Sequence, residues 1–127
     1  MPIKLFVYGT LKRGFCRHRY LAGQRYLGQA RTVPRYHMYC LGEYPGLIES
    51  PDGVAIEGEM WEIDDRCLQT LDAVEEVPVQ YSREVAELEG DGIGKVETYV
   101  YRLSIDGLAD CGTCWITSSG ERGASAP

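Results

Sequence analysis

The stretch VAIEGEMWEIDDRCLQTLDAVEEVPVQYSR, residues 54–83, joins a strand, a helix and a second strand with little chain between them. Along residues 54–63 successive side chains alternate. Val54, Ile56, Gly58 and Met60 fall on one face, and Glu57, Glu59 and Trp61 on the other. Asp64 or Asp65 is suited to cap a helix that runs to about Glu76, because Pro78 forbids much further extension. From Tyr81 the chain becomes β-rich again, and residues 81–88 and 96–103 read as a strand pair across a Gly-rich loop.

Upstream, residues 3–8 form an apolar run that ends at Gly9 and predicts a strand buried on both faces. Residues 17–21 suit a short helix stopped by Gly23, and residues 25–33 and 36–41 suit strands separated by Pro34. Residues 42–46 carry turn chemistry, and residues 47–49 lead into a hairpin loop at residues 50–53. Residues 114–116 are expected to be a last short strand. Many short strands and one long helix predict an α+β fold: a small mixed β-barrel with flanking short helices. One domain is expected over residues 1–117, with a Ser/Gly/Ala-rich tail at 118–127 that frays.

The chain has 127 residues, 44% hydrophobic and 25% charged, which suits one soluble domain with a real core. Its formal net charge of −6 argues against a dedicated nucleic-acid binder. No apolar run is long enough to span a bilayer, and no secretory leader is evident, so the expected location is the cytoplasm. The five cysteines show no disulfide framework, and Cys111 and Cys114 lack the further ligands of a zinc site. They are read as ordinary reduced cysteines. A local basic cluster of Lys12, Arg13, Arg17, His18 and Arg19 reads as a solvated face, or as an attraction for an anionic ligand beside the first loop.

The helix after Asp64 carries a carboxylate on its apolar side. Leu68 and Leu71 define the stripe, with Cys67 and Val74 at its flank. Glu75 falls roughly 20° from Leu68 on a helical wheel, whereas Glu76 falls about 80° away. Burial disfavours a carboxylate's charged form, and the last turn of a helix does so too. Both effects raise the pKa toward the range useful for general acid/base work. The competing reading pairs Glu75 with a cation such as Arg83, or turns it to solvent. A second candidate is the turn Tyr8, Gly9, Thr10, Leu11, where successive N–H groups after a strand can form an anion-binding concavity. A plain tight turn is the competing reading there. No phosphate-loop motif is present. Cys16 and His18 lack an orienting third group, and two histidines make a catalytic metal an unattractive reading.

Three blocks of this sequence resemble the gamma-glutamylcyclotransferase-like family, most nearly its γ-glutamylamine cyclotransferase and avirulence-induced-gene-like branch. They are Val7-Tyr8-Gly9-Thr10-Leu11-Lys12-Arg13-Gly14, the strand at residues 54–63, and the Leu71-Asp72, Glu75, Pro78, Tyr81, Arg83 pattern. The resemblance implies a small β-barrel with flanking helices, with Glu75 as general acid/base. It also implies Tyr8, Gly9, Thr10 and Leu11 as the substrate loop, and Tyr81 beside the substrate. The implied reaction is release of 5-oxoproline and a free amine from a γ-glutamyl-amine or small γ-glutamyl metabolite. It needs no metal and no cofactor. The implied partner is that small molecule, with neither nucleic acid nor membrane, and the chain is expected to be a monomer or weak dimer. The alternatives are a non-catalytic ligand-binding or scaffold protein of the same fold, and a different acyl transfer or amide hydrolysis at the same carboxylate. The leaving amine is not legible in the sequence, and Val77 is expected to crowd the cavity if it faces inward.

Overall fold

The computed structural model describes residues 2–116. The tail expected at 118–127 lies outside them. The chain forms β1 (Ile3–Val7), a 3-10 turn at His18–Leu21, β2 (Arg25–Arg31), β3 (Tyr36–Cys40), β4 (Pro45–Glu49) and β5 (Glu57–Ile63). It continues through α1 (Asp65–Val74), β6 (Tyr81–Ala86) and β7 (Val96–Tyr101). No helix among the described residues is long and apolar enough to cross a membrane.

The strands make one seven-stranded sheet in the order β2-β5-β1-β7-β4-β3, with β6 added on β7. The expected barrel is not formed. The sheet has two ends, β2 and β3, and among the described residues they do not pair with each other. The outer edge of β3 is engaged elsewhere. On β3, Cys40 donates its N–H to Ala109 and Met38 accepts from Cys111. The pairing of β2 with β5 stops at Arg31, shortly before Pro34, which has no N–H to continue a ladder. Beyond it a single bridge, Thr32 to Leu88, touches the chain that leaves β6. Two further differences concern short segments. Residues 45–49, read as turn and approach to a loop, form β4, and residues 114–116 form no strand.

β1 is buried on both faces, as its unbroken apolar run demands: Leu5 and Phe6 are fully buried and Val7 nearly so. Leu5 and Val7 join Trp61, Ile63, Leu71 and Tyr81 in one core cluster. Phe6 joins Met38, Leu47, Ile56 and Val96 in another on the opposite face. The helix starts where Asp64 accepts a hydrogen bond from the N–H of Cys67 at 2.8 Å. It buries Cys67 and Leu71 against the first cluster.

The arrangement around β7 creates the site. β6 pairs along the whole of one edge of β7, from Tyr81 opposite Tyr101 to Ala86 opposite Val96. A strand has only two edges, so β1 and β4 share the other. β1 lies beside its first half, at Glu97, and β4 beside its second half, at Val100. A gap opens where β1 ends and β4 begins. The Tyr8 side chain spans it. Its hydroxyl donates to the carbonyl of Tyr99 at 2.6 Å and accepts from the N–H of Leu47 at 3.2 Å. Tyr8→Phe removes both of these buried hydrogen bonds, which costs about 1–3 kcal/mol of stability. Urea unfolding of the variant measures it, and an unchanged midpoint would contradict this bridging role.

Candidate active site

The gap is a cleft of about 340 Å³, part of it open to solvent. Its walls include Tyr8, Gly9, Thr10, Leu11, Glu75 and Tyr81, so every sequence-selected residue borders the same space. Arg17 of the basic cluster borders it too, as do Tyr44 and Pro45 from the turn expected at residues 42–46, and Tyr99 on β7.

Glu75 arrives there through the end of α1. The helix stops at Val74, and Glu75 is its C-cap. The N–H of Glu76 bonds the carbonyl of Ala73, and the N–H of Val77 bonds that of Asp72. This nested pair is a Schellman motif, with Glu76 at the position usually taken by glycine. Glu76 has φ 54°, a left-handed conformation that a side chain resists. Its side chain is exposed and borders no part of the cleft. Glu76→Gly is therefore expected to stabilise the fold by about 0.5–1 kcal/mol through relief of that strain. Thermal unfolding checks this, and a lowered Tm would refute it.

The motif turns Glu75 inward and Glu76 outward, as the helical wheel expects. Glu75 is 9% exposed. Burial raises its pKa above the ordinary carboxylate value, and Arg17 opposes the rise. Arg17 Nη1 lies 3.2 Å from Glu75 Oε2. The cation suggested by sequence, Arg83, is committed elsewhere. It donates to Asp72 at 2.5 Å and to Glu97 at 2.7 Å. Asp72 also accepts from the Tyr99 hydroxyl at 2.7 Å, which ties the helix end to β6 and β7. Val77 packs against the first core cluster rather than bordering the cleft.

The first loop faces Glu75 across the cleft. Lys12 N–H bonds the Gly9 carbonyl at 3.1 Å, and Arg17 N–H bonds the Thr10 carbonyl at 2.9 Å. Among the described residues, no group accepts from the N–H of Gly9, Thr10 or Leu11. All three residues are buried. Buried backbone N–H groups are nearly always paired, so three in succession beside a cleft suit an anion or a polarised carbonyl. The loop is held from both sides. Lys12, itself buried, donates to the Trp115 carbonyl at 2.9 Å. Buried Glu59 accepts from the Arg13 N–H at 3.1 Å and from the Trp61 indole at 3.1 Å. Two members of the basic cluster, Lys12 and Arg17, are therefore not a solvated face.

The tyrosine hydroxyls on the cleft are already engaged. Tyr81 donates to the Pro45 carbonyl at 2.7 Å, and burial pushes its pKa up, with Glu75 adding to the rise. Tyr8 is likewise pushed up by burial, so neither phenol is a base at neutral pH. Among the described residues, the one titrating group bordering the cleft with its pKa moved toward neutrality is Glu75. All five cysteines are free. Cys111 contacts Cys40 rather than Cys114.

A profile of the family described as gamma-glutamyl cyclotransferase, AIG2-like, matches residues 5–116. A provisionally named gamma-glutamylcyclotransferase of Vibrio cholerae is 42% identical over 98 residues, which is 77% of this chain and 81% of that one. A gamma-glutamylaminecyclotransferase of Bos taurus is 36% identical over 106 residues, 76% of this chain and 63% of its own length. The crystal structure of an AIG2-like protein from Mus musculus superposes with a TM-score of 0.67 at 28% identity. That match covers 81% of this chain and 78% of that one.

Proposed function

The chain belongs to the gamma-glutamyl cyclotransferase, AIG2-like family, and on that premise we propose that it is a cyclotransferase that releases 5-oxoproline and a free amine from a γ-glutamyl compound, with Glu75 as the general acid/base. The observation that carries this reading is the pairing across one cleft of a buried carboxylate with unbonded backbone N–H groups at Gly9, Thr10 and Leu11.

In this reading the loop N–H groups hold the glutamyl moiety, at its α-carboxylate or at the γ-carbonyl oxygen that gains charge. Glu75 takes a proton from the α-ammonium. The freed amine attacks the γ-carbonyl of the same molecule, so the enzyme's task is to hold a bent conformer. The new bond joins the α-nitrogen to the γ-carbon, and the bond from the γ-carbon to the leaving nitrogen breaks. Glu75 hands its proton to that departing nitrogen. The attacking nitrogen loses two protons in all and the departing one gains two, so no net acid or base is consumed. Tyr81 and Tyr99 border the space that the carbonyl would occupy. Burial keeps Glu75 basic enough to accept a proton, and Arg17 keeps it ionised enough to be ready.

The test is a panel of γ-glutamyl-amines and γ-glutamyl dipeptides with 5-oxoproline as the readout and Glu75→Gln as the control. Turnover by the wild type that Glu75→Gln loses supports the reading. Undiminished turnover in Glu75→Gln removes Glu75 from the mechanism. A cleft that binds panel members without turning any over would favour a ligand-binding role for the same fold.

A further inference from the structure

We propose that Glu59 is a positioning residue for the first loop: its carboxylate holds the backbone at Arg13 and so aims the N–H groups of Gly9, Thr10 and Leu11. This rests on the cyclotransferase reading of the cleft and adds to it a residue that touches no substrate.

Glu59 is a buried carboxylate that the mechanism does not use. It is 7% exposed and borders no part of the cleft. On β5 it shares a face with Glu57, which is exposed, and Trp61, which is buried. Packing of the strand does not demand an acid there, and burying a charge without partners is costly. The cost is offset by what the carboxylate accepts. Oε1 takes the Arg13 backbone N–H and the Trp61 indole N–H, each at 3.1 Å. Oε2 takes Arg13 Nε at 3.3 Å.

Register puts this carboxylate where the loop begins. Glu59 stands opposite Val7, the last residue of β1. The strand that ladders with β1 therefore also braces the chain that leaves it. The brace continues through Trp61, whose ring lies 5.3 Å from that of His18. His18 Nδ1 is 3.0 Å from the Leu11 carbonyl. A carbonyl only accepts, so Nδ1 carries the proton in this contact.

The loop's own hydrogen bonds leave one place for Glu59 to fill. The Gly9 carbonyl accepts from Lys12, that of Thr10 from Arg17, and that of Lys12 from Phe15. His18 takes the Leu11 carbonyl. Among the described residues the Arg13 N–H has no backbone acceptor, and Glu59 supplies one. With carbonyls 9–12 and N–H groups 12 and 13 engaged, the turn is fixed, and the N–H groups of residues 9–11 are left over beside the cleft. Donors that serve one oxygen tolerate little rotation of the turn that carries them.

The test separates reach from charge. Glu59→Gln keeps the length and one oxygen acceptor without the charge. Glu59→Asp keeps the charge but is one methylene shorter, so it falls short of the Arg13 N–H. Each is measured by kcat/KM for 5-oxoproline release, below its melting temperature, from the panel member that the wild type turns over fastest. Amide NMR resonances of Gly9, Thr10 and Leu11 follow the loop with no substrate present. Glu59→Gln is expected to stay within about tenfold of wild type, since a neutral acceptor bonds at roughly half the strength of a charged one. Glu59→Asp is expected to lose on the order of 10²-fold, the cost of groups displaced by about 1 Å, with the three amide resonances shifted. If Glu59→Asp does not fold, Glu59→Met, which fills the space without an acceptor, carries the same expectation. A variant with lowered Tm but wild-type kcat/KM would show a role in stability alone and overturn the proposal. A greater loss in Glu59→Gln than in Glu59→Asp, or unshifted loop resonances in Glu59→Asp, overturns it too, while wild-type turnover leaves the cyclotransferase reading standing. No release of 5-oxoproline by the wild type from any panel member overturns both.

Discussion

Glu75→Gln is expected to lower kcat by about 10³-fold while changing KM little, within the range that a positioned acid/base contributes. The amide keeps the shape of the side chain and a contact with Arg17, but cannot carry a proton from one nitrogen to the other. The wild-type rate should rise with pH through the elevated pKa of Glu75, and that limb should be missing from the variant. Stability should move the opposite way. Burial is the larger influence on Glu75, and it raises the pKa above the ordinary 4.5. Between 4.5 and the folded value the native state holds a proton that the unfolded chain releases. The wild type is thus stabilised as pH falls through the folded pKa, and carries the cost of a buried charge above it. Glutamine carries no such cost. Glu75→Gln should melt above the wild type at pH 8, with the margin shrinking on acidification toward 4.5. Parallel melting curves across that range, or kcat within tenfold of wild type, would remove the carboxylate from its assigned position in the mechanism.

The second large effect is expected from Gly9→Ala. The backbone there is not left-handed, so the requirement is space. A Cβ on Gly9 would lie 2.7 Å from both Cδ and Cγ of Pro45. The proline ring cannot rotate aside. Its carbonyl is held by the Tyr81 hydroxyl at 2.7 Å, and its residue begins β4. Either β4 shifts or the first loop does, and both are walls of the cleft. Overpacking of this kind costs about 1–3 kcal/mol. A displaced loop also misplaces the N–H groups of Gly9, Thr10 and Leu11 relative to Glu75. A shift of about 1 Å in such groups costs on the order of 10²-fold in rate. Urea unfolding and kcat/KM together check the expectation. A variant with wild-type kinetics would show that the close approach of Gly9 to Pro45 is incidental.

Much of the site was legible because two local patterns carry it. The period of α1 places Glu75 with Leu68 and Leu71, and the structure buries it beside Leu71. The apolar run that ends at Gly9 marks where β1 stops and its backbone N–H groups lose their strand partners. The family resemblance joined the two, and the fold brings them to one cleft. What stayed hidden depends on residues distant in the chain. Arg17 and Glu75 are separated by 58 positions, and nothing in the spacing of a basic cluster says which cation meets a buried acid. β4 was obscured by its own composition. Pro45 and Gly46 read as turn residues, yet proline is tolerated at the first position of a strand. Gly46 is needed there because a Cβ would lie 2.9 Å from the Tyr101 side chain. The open sheet was hidden for a related reason. Hydrophobic alternation reports which face of a strand is buried, but not which edge finds a partner. Residues 109–111 cover β3 with hydrogen bonds from segments that carry no strand pattern.

The shared edge of β7 has a meaning for how this protein can change over generations. Continuous pairing of β1 or β4 along that edge would make the sheet sturdier, and would erase the mouth in which Glu75 meets the first loop. Tyr8 bridges the interruption with one hydroxyl and leaves the space open. On the cyclotransferase reading proposed above, selection for robustness and selection for turnover act on the same few ångströms of backbone, in opposite directions. Substitutions that strengthen the fold are tolerable at most other positions. At this seam they are expected to be filtered out for as long as the activity is needed, and to accumulate once it is not.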